Sequence, residues 1–151
     1  MISPELLRRY TFFAGFSNEE MKDLAMAGHE VPLKAGEVLF TEGKQAHHFY
    51  FLADGEMETL LDTDAGEQIP LSTLPAGEPV GWSALIEPHL YTASARATRP
   101  SRVIAFARTD LTRRLDDPHF SSLLMHKLAV LIGRRLKDTQ VQLLSLTATR
   151  A

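Results

Sequence analysis

Turn-forming residues divide the middle of the chain into short segments, and this spacing constrains the fold more than any other feature. Between residues 29 and 107 a glycine-containing turn signal comes about every ten residues, at 34–37, 42–44, 54–55, 65–67 and 75–78. Runs rich in β-forming residues lie between these signals, at 38–40, 49–53, 57–61, 69–74, 92–97 and 103–107. This pattern predicts an all-β sandwich or barrel. Asp54-Gly55 is the sharpest signal and predicts a β-hairpin, because both central residues of such a turn favour positive φ.

Helices are predicted on both sides of this β-region, first at 3–28. Ser17 followed by Glu20 is a capping box that opens a short helix. Apolar residues at helical spacing give that helix a buried face: Met21, Leu24 and Ala25.

The segment 109–147 predicts a short helix and then a long, proline-free one. Its residues alternate spacings of four and three over about three heptads, which predicts a coiled-coil seam and hence a homodimer: Met125, Ala129, Ile132, Leu136, Thr139, Leu143 and Leu146. A second apolar stripe lies beside this seam: Leu124, Leu128 and Leu131. The helix is therefore expected to pack one face on its own β-domain and to offer another to a partner.

Length and composition fit one domain that spans 1–151, with 44% hydrophobic and 23% charged residues. The absence of cysteine excludes disulfides, thiolate metal sites and thiol catalysis and favours a cytoplasmic location. A net charge of −3 without a basic block argues against direct nucleic-acid binding. The N-terminus lacks the apolar run of a signal peptide, and no stretch is long enough for a membrane span.

Three segments in sequence carry a resemblance to a known family. They are LRRYTFFAGFSNEEMKDLA, then KAGEVLFTEGKQAHHFYFLADGEMETLL, and then GEPVGWSALIEPHLYTASARA at 77–97. Their order and spacing resemble the cyclic-nucleotide-binding domain of the catabolite activator family. The resemblance implies a mainly β jelly-roll of about eight strands with flanking helices. Within it, the second segment would form two consecutive hairpins.

The resemblance also implies a pocket between the β-roll and the long helix, which serves dimer contacts in the family. The segment 77–97 would be the phosphate-binding cassette, in which a short helix directs backbone N–H groups at a cyclic phosphate. The ligand-binding residues it implies are Val80, Gly81, Trp82, Ser83, Ala84, Leu85, Tyr91, Thr92 and Ala93.

Two charged residues of the family pattern are missing from this cassette. Trp82 stands where the family has a glutamate on the ribose, and Tyr91 (Leu90 after a one-residue shift) stands where it has an arginine on the phosphate. Loss of one partner of a buried charge pair costs about 2–5 kcal/mol, so binding of cyclic AMP or cyclic GMP is expected to be weak or lost. Arg96 is no substitute, because strand alternation turns it away from the side of Tyr91.

Three occupants of the pocket stay open. Trp82 and Tyr91 make it more aromatic and less ionic, which suits a neutral or aromatic small molecule. Alternatively, the two rings fill the pocket as core, or cyclic nucleotide binding is retained. No cofactor is predicted.

Other polar groups suggest no further site. His47 and His48 point to opposite sides of a strand, so they are expected at an exposed edge rather than on a metal. The cluster of Arg134, Arg135 and Lys137 reads as charge flanking the coiled coil rather than as contact with an acidic partner or nucleic acid. Another pair, His119 and His126, is expected to form a solvated stripe.

No nucleophile, base and orienting group can be assembled, so the chain is not expected to be an enzyme. The sequence ends too close to the long helix to hold a winged helix-turn-helix. We therefore predict a stand-alone, homodimeric sensory domain that a protein partner reads. A constitutive scaffold with a self-filled pocket and a truncated transcription regulator are the alternatives.

Overall fold

Two four-stranded antiparallel sheets form the centre of the computed structural model, which describes residues 1–149. One sheet has the order β1-β8-β3-β6 and the other β2-β7-β4-β5. The strands are β1 Gly28–Leu33, β2 Val38–Phe40, β3 His48–Asp54, β4 Glu56–Asp62, β5 Gln68–Pro75, β6 Pro79–Val80, β7 Ser94–Ala97 and β8 Ser101–Ala107. The predicted mainly β fold class with flanking helices is confirmed.

The helices lie before and after the β-region, as predicted. They are α1 Pro4–Arg8, α2 Asn18–Ala27, α3 Arg108–Arg113 and α4 Pro118–Thr149, with 3-10 turns at Thr11–Phe13, Trp82–Leu85 and Arg114–Asp116. The capping box is present in both directions: Ser17 N–H donates to Glu20 Oε1 at 2.7 Å, and Glu20 N–H donates to Ser17 Oγ at 3.1 Å. This reciprocal cap satisfies two of the backbone donors that the start of α2 leaves free.

Two strands, β1 and β6, were missing from the sequence prediction. Pro32 lies within β1 and argues against a strand, because proline cannot donate to a sheet ladder. The structure accommodates Pro32 because β1 is an edge strand that pairs only with β8. The other missed strand, β6, has two residues and leaves no period to detect.

The predicted hairpin at Asp54-Gly55 is wrong, because β3 and β4 belong to different sheets. The turn is a corner where the chain passes from one sheet to the other. Gly55 has a φ of +98°, and a Cβ on it would lie 2.6 Å from the Cα of Ser101.

The two consecutive hairpins implied for 34–61 are also wrong, since β2 pairs with β7. A hairpin does join β4 and β5, closed by Thr63 N–H donating to Glu67 O at 2.8 Å.

Burial divides α4 along its length. Its first half carries the second stripe into the core, where Leu124, Leu128 and Leu131 are each at most 3% exposed. The second half lies more openly beside β5, where Gln142 Nε2 donates to the Leu71 carbonyl at 2.6 Å. No helix in the described part of the chain is both long and apolar enough to cross a membrane.

The start of α4 is joined to α2 by an ion pair that the sequence did not reveal. His119 was expected on a solvated stripe, but its Nδ1 lies 2.9 Å from Glu20 Oε1. Glu20 is only 3% exposed, whereas the His119 side chain is 61% exposed. The carboxylate of the capping box therefore also fixes the N-terminus of the long helix.

Candidate functional site

The turn after β6 has the geometry expected of the cassette segment. Gly81 adopts φ +84° and caps the 3-10 turn Trp82–Leu85, after which Ile86 is extended. A Cβ at Gly81 would lie 3.2 Å from ring atoms of both Phe40 and Tyr91. Glycine is therefore required both by its backbone conformation and by the close approach of the two rings.

Tyr91 is part of the core beside this turn. Its ring stacks on Phe40 with centroids 3.8 Å apart and planes 9° from parallel. Its hydroxyl donates to the His48 carbonyl at 2.7 Å, and burial raises the pKa of this phenol above its ordinary value. The Tyr91 hydroxyl is therefore already used within the fold, and the ring occupies space next to Gly81.

Little open volume remains beside Gly81. A cavity of about 40 Å³ lies there, lined by Gly81, Trp82 and Tyr91 among others. A second cavity of about 300 Å³ lies between β4, β5 and α4, and Trp82 forms one of its walls. Its apolar wall includes Leu74, Ile132 and Leu136. Its hydroxyl-bearing lining residues are Thr59, Ser72, Thr73, Thr92 and Thr139. The larger space is thus under the long helix rather than in the cassette turn.

Arg135 lines both cavities, and this corrects the expectation of a less ionic pocket. It extends from α4 and donates through a terminal nitrogen to the Pro79 carbonyl. Its Nε is buried and has no hydrogen-bond partner among residues 1–149. Burial lowers the pKa of this guanidinium to about 10, so it stays charged at neutral pH.

The basic cluster on α4 therefore does not simply flank a coiled coil. Arg134 donates to Glu78 Oε2 at 2.7 Å, and Arg135 contacts the residue that follows Glu78. Both arginines attach the helix to the segment that leads into the cassette turn. The expectation for Lys137 stays a prediction.

Arg96 lies away from the cavities, as strand alternation predicted. Its Nε donates to Glu58 Oε1 at 3.0 Å, and the pair joins β7 to β4. Arg96 lines neither cavity described above.

The other predicted site residues differ in access to the cavities. Ser83 lines the smaller cavity, and Thr92 and Ala93 line both. Val80 also lines the smaller one but is 1% exposed, while Ala84 and Leu85 are buried in the core. Trp82, Thr92 and Ala93 are the members of the set that the structure brings together with Arg135.

The predicted seam overlaps the larger cavity. Ile132, Leu136 and Thr139 line it, whereas Leu143 is 64% exposed. Met125 is half-buried, and Ala129 and Leu146 are exposed. Arg135 lies three residues after Ile132 and four before Thr139, so it occupies the same helix face as both. From the sequence, this spacing could have placed Arg135 on the helix face that lines the cavity. It was missed because the residues of that face were interpreted as a coiled-coil seam.

His47 and His48 are both exposed, as predicted, at the point where the preceding loop enters β3. Within the described residues no group of three histidine or acidic side chains is placed to hold a metal ion.

Comparisons with known proteins agree with this architecture. The family model of the cyclic nucleotide-binding domain matches residues 30–117. The cyclic AMP receptor protein of Thermus thermophilus is 31% identical over 87% of this chain, and the transcriptional activator protein anr of Pseudomonas aeruginosa is 35% identical over 80% of it. The match covers 59% of the first relative and 48% of the second, so this chain spans about half the length of each.

Among solved structures, a Geobacter metallireducens protein assigned by name to the cyclic nucleotide-binding proteins has a TM-score of 0.79 and 34% identity. That match covers 90% of this chain and 99% of the other. The chain therefore belongs to the cyclic nucleotide-binding domain family, and its relatives are of the catabolite activator type.

Proposed function

We propose that this member of the cyclic nucleotide-binding domain family is a non-catalytic regulatory domain that binds a small ligand between β5, Trp82 and α4. The observation that carries the proposal is the cavity of about 300 Å³ at that place. It combines an aromatic wall with a few hydroxyl groups and one half-buried cation, Arg135, a mixture typical of small-molecule sites. Of the predicted ligand-binding residues, Trp82, Thr92 and Ala93 would contact the ligand directly.

Cyclic AMP and cyclic GMP are expected to bind this domain weakly. The phosphate of a cyclic nucleotide would have to lie against Gly81, where Tyr91 and Phe40 leave a cavity of about 40 Å³. The cassette also lacks the family's glutamate and arginine, with Trp82 and Tyr91 in their places. Displacing a stacked, hydrogen-bonded tyrosine adds to the loss of the two charged contacts, so the two effects act in the same direction.

Ligand occupancy would regulate the position of α4. The cavity has one wall on the β-roll and the other on the helix, so a ligand that fits it contacts both. A ligand that prefers one helix position shifts the equilibrium towards that position. A protein partner in the cytoplasm would then read the exposed half of α4.

The exposed half of α4 also supports a homodimer. Its outward side chains include Val141, Leu143 and Leu144, each at least 50% exposed. Large apolar residues repeated on one helix are commonly covered by a second helix in solution. We propose that the predicted seam pairs two copies of this chain.

A cavity-filling variant tests the binding site. Ala93 lines both cavities, so Ala93→Leu is expected to block them. In a thermal-shift screen of small metabolites, compounds that stabilise the wild type should have no effect on Ala93→Leu. Ala65→Leu makes the same change in the exposed turn between β4 and β5 and should respond as the wild type does.

The packing of Tyr91 on Phe40 favours a second candidate function, a constitutive interaction domain whose pocket is filled by its own side chains. The screen separates the two candidates. Stabilising compounds that act equally on Ala93→Leu, or none at all for the wild type, would contradict the ligand-binding function and leave the interaction domain.

A further inference from the structure

Arg135 is a half-buried cation with a buried Nε, and the fold uses its hydrogen-bonding capacity only in part. It donates one hydrogen bond to the Pro79 carbonyl, and its Nε has no acceptor within residues 1–149. None of the ion pairs among these residues includes Arg135. A buried guanidinium with an empty donor is costly unless an acceptor completes it.

The position of Arg135 places this incomplete cation at the ligand cavity. It lines the space of about 300 Å³ under α4 and also the small space beside Gly81. Trp82 and Thr92 line the same two spaces. A guanidinium presents its donors in a planar fork that matches a carboxylate or phosphate group, and a neighbouring aromatic ring can hold the body of such a ligand.

We propose that the domain recognises a small organic anion other than a cyclic nucleotide, an aromatic or apolar body whose single carboxylate or phosphate group binds Arg135 in the larger cavity without entering the space beside Gly81. The inference rests on the proposed function, since it names the ligand class of the same cavity. The anion would accept hydrogen bonds from Arg135. This arginine extends from α4, whereas the arginine of the family pattern precedes the cassette strand. A ligand held in this way connects α4 to the wall formed by Trp82 and β5.

Asp138 sets the selectivity of this contact. It also lines the cavity, one helical turn after Arg135, and is exposed. Its negative charge favours the charged guanidinium but opposes an incoming anion, so its removal should tighten anion binding. The exposed position keeps this effect small.

Fluorescence of Trp82 reports the cavity directly, because it is the chain's single tryptophan. The probes are phenyl phosphate and benzoate, with benzamide as a neutral molecule of similar shape. Ligands of this size are expected to bind with dissociation constants of about 1 mM. We expect both anions to change the Trp82 emission saturably and benzamide to bind about tenfold more weakly.

Arg135→Gln should weaken binding of both anions about 10- to 100-fold and remove their advantage over benzamide. Lys137→Gln is the matched control: this exposed lysine of α4 lines neither cavity, so removal of its charge should leave binding unchanged. Anion binding by Arg135→Gln equal to that of the wild type, or equal binding of benzamide, would overturn the inference while leaving the proposed function in place.

Circular dichroism shows whether Arg135→Gln is folded. If it is not folded, Asp138→Asn is tested instead. Phenyl phosphate should bind Asp138→Asn about two- to fivefold more tightly than the wild type, the size of an exposed charge interaction. Benzamide should bind both proteins equally. An unchanged phosphate affinity in Asp138→Asn would then overturn the inference. If no probe changes the Trp82 emission at about 10 mM, roughly ten times the expected dissociation constant, the inference is overturned, whereas the proposed function is decided by the thermal-shift screen.

Discussion

Gly55 determines how the chain leaves one sheet for the other. Its φ of +98° is unfavourable for residues with a side chain, and its α-carbon faces the backbone of Ser101 at the start of β8. The Ser101 hydroxyl accepts a hydrogen bond from Glu56 N–H at 3.1 Å just after the corner. Strand β4 can therefore begin in the second sheet only because no side chain occupies the corner.

The substitution Gly55→Ala should cost at least about 3 kcal/mol of unfolding free energy, the sum of left-handed backbone strain and a clash with the Ser101 backbone. Gly66→Ala is the matched control, since Gly66 has φ +83° but open space around it. Its cost should be the strain alone, about 1–2 kcal/mol. Urea unfolding measures both, and equal losses would contradict the close approach at Gly55.

Glu20 and His119 form a titratable contact between α2 and α4. Burial alone would raise the pKa of Glu20, but hydrogen bonds from Ser17 and His119 outweigh it and hold the pKa below its ordinary value of 4.5. The hydrogen bond to Glu20 and its negative charge raise the pKa of His119 above its ordinary value of 6.5.

This pair predicts a pH-dependent stability with two limits. The raised pKa of His119 means that its contribution is full below pH 6.5 and is lost as pH rises through the folded-state pKa. The lowered pKa of Glu20 means that its contribution is present above pH 4.5 and is lost as pH falls through the folded-state value.

The difference in urea midpoint between wild type and His119→Gln isolates the histidine from the other titrating groups. It should be largest between pH 4.5 and 6.5 and shrink towards pH 8. A difference that is constant across this range would show that His119 is not paired with Glu20.

At the scale of elements, α4 carries two apolar stripes with different roles. Leu128 is 1% exposed and packs in the core, whereas Leu143 is 64% exposed. Leu128→Ala should lower the unfolding free energy by about 2–5 kcal/mol, because it removes buried methyl groups and leaves a cavity.

By contrast, Leu143→Asp should keep the circular dichroism spectrum of the wild type, since this side chain contacts mainly solvent within one copy. Light scattering at tens of micromolar should show the wild type with the mass of two chains and Leu143→Asp with the mass of one. A monomeric wild type would contradict the proposed seam.

The strands that could be predicted from sequence are those with β-forming runs between glycine turns, from β2 to β5, together with β7 and β8. Pairing could not be predicted at the corner, because an Asp-Gly pair has the same local preference whether the following strand folds back or crosses to another sheet. Similarly, β1 was hidden by Pro32, whose tolerance depends on being at an edge that only the assembled sheet defines.

The candidate site shows the same division between local and tertiary information. The turn at Gly81 could be placed from its motif, whereas the replacement of two charged family residues by Trp82 and Tyr91 stays a prediction. Tyr91 packs in the core because its ring stacks on Phe40 and its hydroxyl donates to the His48 carbonyl, and both partners are distant from it in sequence. The local sequence therefore does not distinguish the role of Tyr91 from that of Trp82. Arg135 lies 53 residues after Trp82 in the numbering, so their juxtaposition requires the docked position of α4.

At the scale of the whole molecule, the larger of the two cavities lies under the long helix and the smaller one lies beside the cassette turn. Tyr91 and Phe40 close the space beside Gly81, while β5, Trp82 and α4 enclose the larger cavity. The contacts of Arg134 with Glu78 and of Arg135 with Pro79 hold the helix over this cavity. A change in the cavity is therefore positioned to change the helix that carries the proposed dimer and partner surface.

Calorimetric titration with cyclic AMP tests this arrangement most directly, because Tyr91 stands where the family resemblance implies an arginine on the cyclic phosphate and only about 40 Å³ is open beside Gly81. We expect no saturable heat of binding below about 1 mM, since the charged contacts are missing and the tyrosine would have to be displaced. Saturable binding with a micromolar dissociation constant would show that the space beside Gly81 is open to a cyclic phosphate and would contradict the account.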